Sequence, residues 1–198
     1  MLTKAEQTSK YIIEKVAPIF NQKGYAATSM ADITAATGLT KGALYGNFKN
    51  KEAIAIASFN KTINDLLKQV AKHQEQSGSP LGKLLLITDF YRNYFEYSNA
   101  LGGCPILNIG VDSTHQNTKL LEQVQYVIQK TQSHIVKLVE WGIEIGEIKT
   151  DVDARAFSKF LYSRIQGAIF MSQTMQDKSY LTDASDEIDK LIHSELKN

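Results

Sequence analysis

A single cysteine, Cys104, leaves no partner for an intrachain disulfide and suits a reducing cytosol. No run of about 18 apolar residues is available to span a membrane, and no N-terminal apolar run resembles a secretory signal. A cytoplasmic chain with no membrane partner is therefore expected. Phosphate-cradling loops of the GxxxxGK[ST] or GxGxxG type are missing, and GSPLG at Gly78–Gly82 puts its serine in the wrong place for a nucleophile elbow. The histidines His73, His115, His134 and His193 are scattered without metal-ligand spacing, so neither a metal nor another cofactor is expected. Cys104 and His115 form the one nucleophile–base pair that can be written down, and nothing in the sequence supports its geometry. No catalytic residue is assigned, and an enzyme is not expected. Repeats and low-complexity segments are absent as well.

What is present is ordinary in amount and uneven in place. A chain of 198 residues, 43% hydrophobic and 22% charged, can bury a substantial core as one large domain or two small ones. The net charge is only +1, yet residues 1–60 carry seven lysines against four acids, +3, which leaves −2 for the remainder. A mild basic bias at one end suits a polyanionic partner.

That end holds the most informative stretch, Thr28 to Lys51, TSMADITAATGLTKGALYGNFKNK. Ser29 and Asp32, three apart, form a capping box ahead of a short helix whose inward face is Met30 and Ile33, with Ala31, Ala35 and Ala36 small enough for close packing. Gly38 supplies a turn without a Cβ, and Leu39 anchors it. Thr40 caps a second helix, with Leu44 and Phe48 on its apolar side and Lys41, Gly42, Ala43, Tyr45 and Asn47 on the other. This is the pattern of a helix-turn-helix, whose second helix enters a DNA major groove. Gly42 and Ala43 permit close backbone approach. Lys41 suits a guanine or a phosphate, and the hydroxyls of Thr40 and Tyr45 suit phosphate oxygens. By periodicity alone, a small-residue helix hairpin packed in a core accounts for the pattern equally well.

The run Thr28, Ile33, Ala36, Gly38, Leu39, Thr40, Lys41, Gly42, Leu44, Tyr45, Phe48, Lys51, Glu52, extended upstream by Phe20, Gly24 and Tyr25, resembles the N-terminal domain of the TetR family of bacterial transcriptional regulators. The match spans about the first quarter of the chain without a gap. Asn47 departs from the aromatic residue or histidine often found there. The resemblance implies an all-α, homodimeric, DNA-binding regulator, a repressor released by a small-molecule effector, acting on a palindromic double-stranded operator. It also implies DNA contacts at Thr28, Thr40, Lys41, Gly42, Ala43, Tyr45, Asn47 and Lys51. Thr28 and Lys51 are expected at phosphates, and Lys41 with Gly42 and Ala43 deepest in the groove. A helical ligand-binding or interaction protein whose helix-turn-helix no longer meets DNA is the competing reading.

The rest of the chain reads as helices. The first runs from about Thr3 to Lys23, stopped at Gly24, with a kink or break expected at Pro18. Asn50 caps a helix reaching the mid-70s. HQEQSGSP, His73–Pro80, is a loop. Leu81–Tyr97 reads as one helix, apolar nearly all round. A short helix covers Ile106 to about Val111, and a long amphipathic one Thr118 to about Gly146. Another follows a cap at Asp151 or Asp153, and a last one covers about Asp183–Leu196, for nine or so in all. The domains expected are residues 1–50, the three-helix DNA-binding domain, and 51–198, a C-terminal helical ligand-binding and dimerisation domain.

Within that second domain, Tyr91, Tyr94 and Phe95 form the expected wall of an effector pocket, faced by Trp141 and Phe160. The same aromatics, read without the resemblance, are simply core. Dimerisation is expected on the last two long helices, with Gly167 and Ala168 admitting a close helix. GGCP at Gly102–Pro105 is similar to a motif of TetR-like regulators that respond to oxidants or electrophiles. Cys104 is thus either a redox sensor or an inert, buried small residue.

Overall fold

The computed structural model describes residues 3–198 as ten α-helices and a closing π-helical turn. Among these residues there is no strand, only an isolated bridge between Ile148 and Lys197. The helices are α1 (Lys4–Ala27), α2 (Met30–Thr37), α3 (Lys41–Asn47), α4 (Lys51–Gln74), α5 (Pro80–Arg92), α6 (Tyr94–Ala100), α7 (Pro105–Ser113), α8 (Thr118–Glu144), α9 (Ala154–Met175) and α10 (Ser179–Leu191), with the π turn at Ile192–Leu196.

Two compact units divide the chain, and the division is not a single cut. The first contains the chain up to Leu66 together with Leu101–Tyr126. The second contains Leu67–Ala100 and Val127–Asn198. Helices α4 and α8 each contribute residues to both.

In the first unit the apolar stripes anticipated from 3.6-residue periodicity are buried: Ile12, Val16 and Phe20 of α1, Ile33 of α2, Leu44 of α3, and Ile54 and Phe59 of α4. Each such burial contributes roughly 1.5–3 kcal/mol. Packed against α1 is α7, which lies outside the 1–50 segment expected to form the DNA-binding domain. Polar side chains make that attachment specific. Asn21 donates to the carbonyls of Leu101 (2.6 Å) and Gly103 (2.9 Å), and Asn108 returns a bond to the Asn21 carbonyl at 2.9 Å. Asp112 accepts from the backbone N–H of Tyr25 at 2.6 Å.

In the second unit α10 packs on α9 and α5, and α6 on α9. Arg92 at the end of α5 pairs with Asp186 and Asp189 of α10, the latter at 2.7 Å. Ser185 donates to the Thr88 carbonyl.

Four sequence expectations are corrected. Pro18 keeps helical geometry and α1 runs through it. The residue in α1 that leaves helical φ/ψ is Gly24, at φ 80°. Proline's fixed φ is itself helical, so what it forfeits is one backbone bond. The Leu81–Tyr97 helix is two helices, α5 and α6, separated at Asn93 (φ −101°, ψ 12°), whose side chain bonds back to the Asp89 carbonyl and competes with the helix ladder. The last helix begins at Ser179 rather than Asp183, because the Asp177 carboxylate accepts from the Ser179 N–H at 2.9 Å and starts it early. Beyond Leu191 it widens into the π turn.

Candidate nucleic-acid interface

The turn between α2 and α3 is assembled from short-range bonds. Ser29 and Asp32 close the capping box, with Asp32 accepting from the Ser29 N–H at 2.8 Å and Ser29 Oγ accepting from the Asp32 N–H at 3.1 Å. Lys23 Nζ lies 2.8 Å from the other Asp32 oxygen. That lysine first, then Ser29, holds the Asp32 carboxyl well below the usual carboxylate range. Gly38 sits at φ 67°, where a Cβ is disfavoured, and donates to the Thr34 carbonyl at 2.9 Å. Thr40 then caps α3 by accepting from the Ala43 N–H at 3.2 Å.

These caps orient α3. Leu44 is fully buried, and Thr40, Lys41, Gly42, Tyr45 and Gly46 are exposed, Tyr45 at 50%. Two glycines in a seven-residue helix weaken it by about 1 kcal/mol each relative to alanine. Neither is required by packing within the chain. A Cβ at Gly46 would meet nothing within 4 Å, and one at Gly42 would meet only Thr40 Oγ1 at 3.8 Å. Gly46 is not among the residues expected from the sequence to face DNA. Its signal was available there: a second glycine four residues after Gly42, on the same helix face.

The other residues assigned to DNA do not all reach that face. Thr28 is fully buried, its hydroxyl donating to the Gly24 carbonyl at 2.7 Å, so the expectation of an outward phosphate contact from this side chain fails. Asn47 is half-buried and turned toward α1. It accepts from Ser9 Oγ at 3.2 Å and donates to the Ala43 carbonyl at 2.9 Å. Ala43 is half-buried. Lys51 Nζ donates to the carbonyls of Tyr25 and Thr28, each at 2.9 Å.

The second unit contains a cavity of about 250 Å³. Leu67, Val70, Ile87, Tyr91 and Ile135 form its apolar part, and Gln74, Lys130, Thr131 and His134 its polar part. Of the five aromatics expected to line an effector pocket, only Tyr91 is among the residues that line this cavity. Tyr94 is buried in a ring cluster, 5.2 Å from Tyr91 and 5.6 Å from Tyr97 between centroids, and Phe95 is half-buried beside it in sequence. Trp141 (38% exposed) and Phe160 (40%) lie on outward faces of α8 and α9, not in this cavity. Cys104 is buried at the N-cap of α7 in the first unit. Among the described residues no three His, Cys, Asp or Glu side chains gather as a metal site, and no helix is long and apolar enough to cross a membrane.

A capped helix-turn-helix, with the second helix presenting a lysine, two glycines and a tyrosine outward from a helical scaffold, defines a DNA-binding transcriptional regulator. Residues 12–57 match the family model of bacterial regulatory proteins of the tetR family, and residues 80–188 match the tetracyclin repressor-like C-terminal domain. A TetR transcriptional regulator from Chloroflexus aurantiacus is 31% identical, with a TM-score of 0.93 over 99% of both chains. A TetR-family regulator from Cytophaga hutchinsonii is 29% identical with a TM-score of 0.91, covering 100% of this chain and 98% of that one. The HTH-type transcriptional repressor DhaR of Mycobacterium sp. (strain GP1) is 24% identical over 172 residues, 87% of this chain and 85% of the relative. The chain belongs to the TetR family of transcriptional regulators.

Proposed function

We propose that the protein is a homodimeric repressor of the bacterial cytoplasm, which holds a palindromic operator through two copies of α3 and leaves it when a small molecule occupies the second unit. The observation that carries the DNA half is the outward face of α3: Lys41 and Tyr45 exposed beside Gly42 and Gly46, glycines with no packing role inside the chain. On this reading Gly42 and Gly46 let the backbone approach the groove floor. Lys41 reads a base edge, and Thr40 and Tyr45 meet phosphates. Lys51 spends two of its three N–H donors on carbonyls of its own chain and keeps one for a phosphate. Asn47 and Thr28 act by fixing the geometry of α3 and of the segment before α2, and Ala43 adds only close approach.

The effector half rests on the cavity at Tyr91 and on α4, a single helix with Lys51 at its DNA end and Leu67, Val70 and Gln74 at the cavity. A ligand releases DNA only if it prefers the arrangement that binds DNA poorly, so differential affinity, not affinity, is what matters. The dimer rests on the outward apolar residues of α9, Phe160, Phe170 and Met175. Residues 1–50 remain the DNA-binding domain in this scheme, joined at the DNA by Lys51, and 51–198 otherwise carry ligand and dimer contacts. Cys104, buried in the first unit, is assigned to packing; alkylation of the folded protein at the rate of an exposed thiol would reverse that assignment.

A gel shift with DNA flanking its own gene tests the reading. Retarded DNA, competed by the specific fragment far better than by random duplex, is expected. Equal competition by both would sink it.

A further inference from the structure

Resting on the proposed effector reading, the lining of the cavity restricts the charge class and size of its occupant. The cavity's polar end is lined by Lys130, Thr131, His134 and Gln74, and no carboxylate lines any part of it. Lys137 lies close enough to His134 to act on it electrostatically, as does Lys83. Neither Lys130 nor Lys137 has a carboxylate ion-pair partner among the described residues. One lysine, Lys130, therefore lines that end without a carboxylate partner, and Lys83 and Lys137 add positive charge beside His134.

The hydrogen bonds at this end settle which groups are free to respond. The Gln74 amide nitrogen donates to the Lys83 main-chain carbonyl at 3.1 Å, which orients the Gln74 side chain, and Lys83 Nζ donates to the Gln74 main-chain carbonyl at 3.0 Å. Its Oε1 then faces His134 Nε2 at 3.1 Å, and since Oε1 only accepts, Nε2 carries the proton. The Nδ1 of neutral His134 is left as the basic nitrogen. Partial burial, then Lys83 and Lys137, hold His134 below the usual histidine range, which favours the neutral ring.

We infer that the occupant is a small monocarboxylic acid with an apolar body, its carboxylate toward Lys130 and His134 and its body against Leu67, Val70, Ile87, Tyr91 and Ile135. An anion there compensates charge that the chain itself leaves unpaired, and an incoming acid proton can pass to His134 Nδ1, giving an imidazolium beside a carboxylate. An amine brings a like charge to the end that Lys130 lines, with no carboxylate there to offset it. Volume bounds the body. At roughly 30 Å³ per small group, the share of one water in the liquid, a 250 Å³ chamber holds about eight such groups. Hexanoate, octanoate and phenylacetate are of that size, and palmitate is not.

Calorimetric titration of the DNA-free protein with hexanoate, octanoate, phenylacetate and palmitate, with their primary amides, and with hexylamine and octylamine, tests this. The acids of six to eight carbons are expected to bind roughly tenfold or more tighter than their amides, with palmitate weaker and the amines undetected. Lys130→Met, a change at an exposed side chain, should bring acid and amide to within about threefold. Amides binding as well as acids, amines binding better, or an acid preference untouched by Lys130→Met would each overturn the inference. Gel shifts with the same compounds separate it from the effector reading. Acids that bind without releasing DNA refute the effector assignment and leave the ligand class standing. Release by a neutral or cationic compound, abolished when Thr131→Trp narrows the cavity, preserves the effector site and refutes the acid.

Discussion

The Lys51 ammonium lies 2.9 Å from the carbonyl oxygens of both Tyr25 and Thr28 and 4.2 Å from the centroid of the Tyr25 ring. This one side chain ties the start of α4 to the segment between α1 and α2, through two charge-assisted bonds and a cation–π contact. Its role in the free protein is therefore structural, whatever its remaining donor does on DNA. Lys51→Met should lower the stability of the DNA-free protein by about 1–3 kcal/mol, read as the denaturant midpoint at unchanged slope. A variant as stable as the parent would return Lys51 to a phosphate contact and nothing more.

Gly24 and Asp112 form a second such tie. Gly24 stands at φ 80°, and a Cβ built there would lie 2.8 Å from the Asp112 carboxyl carbon. The absence of that Cβ lets Asp112 reach the N–H groups of Tyr25 and Ala26, at 2.6 and 3.3 Å. Gly24→Ala is penalised twice, by backbone strain and by displacement of Asp112, and should lose roughly 2 kcal/mol or more. Asp112→Ala, which strands the two donors but adds no strain, should lose about 1–2 kcal/mol. Thermal melts of both, ranked in the other order, would contradict this account.

How legible these features were follows from the distance between partners. The Ser29–Asp32 box, the Gly38 turn, the Thr40 cap and the Asn50 cap, whose side chain accepts from the Ala53 N–H at 2.8 Å, involve neighbours three or four apart. A local pattern announces them. Asn47 and Ser9 are 38 residues apart, and Asp112 and Tyr25 are 87 apart. Nothing local shows that Asn47 turns inward or that α7 closes on α1. The aromatic run of α5 and α6 drew attention to Tyr91 and Tyr94, but the cavity's polar end comes from one face of α8, where Lys130, Thr131 and His134 lie at helical spacing. On the sequence those three look like any solvated helix surface.

The Asp32 carboxylate gives the turn a signed pH dependence. Lys23 and then Ser29 lower its pKa in the folded state, so the folded protein holds that proton less readily than the unfolded chain does. The stabilisation is complete above the unfolded value, near 4, and is lost as pH falls below it. The difference in unfolding midpoint between the parent and Asp32→Asn should be constant from pH 7 to about pH 5 and shrink at about pH 3. A difference that grows on acidification would mean the carboxyl is better held protonated, against the geometry.

For the proposed dimer, residue choice decides whether an experiment is informative. Ala168, attractive on the sequence as a close-contact residue, is 6% exposed in the chain's own interior. Ala168→Arg would strand a charge in that core and unfold the protein, at a cost of several kcal/mol, without saying anything about association. Its neighbour Gly167 is exposed with nothing within 4 Å of a built Cβ, and Phe170 is 55% exposed on the same helix. Phe170→Glu should leave helicity and melting of the protomer intact while shifting sedimentation from dimer to monomer at micromolar concentration. An unchanged dimer would remove this face of α9 from the interface.

The sharpest separation concerns Lys41 and Tyr45, both exposed on α3, one at its first turn and one a turn later. A base contact and a phosphate contact differ in what they discriminate. If Lys41 meets a base edge, Lys41→Ala weakens operator binding by about 1–3 kcal/mol and random duplex far less, so the specificity ratio collapses. If Tyr45 donates its hydroxyl to a phosphate, Tyr45→Phe weakens both DNAs alike, by about 0.5–1.5 kcal/mol. The salt slopes add a second axis. Loss of the lysine charge lowers the slope by up to about one unit if it also neutralises a phosphate, whereas loss of a neutral hydroxyl leaves the slope unchanged. If the protein binds as the proposed two-fold dimer, its two copies of α3 meet successive major grooves about 34 Å apart, or a multiple of that, and each operator effect then appears in both half-sites of a palindrome. Equilibrium affinities for operator and random DNA, from about 50 to 200 mM salt, resolve the two variants. Should Lys41→Ala lose affinity equally on both DNAs, the base contact belongs to another residue of the α3 face, and Tyr45 becomes the next one to test.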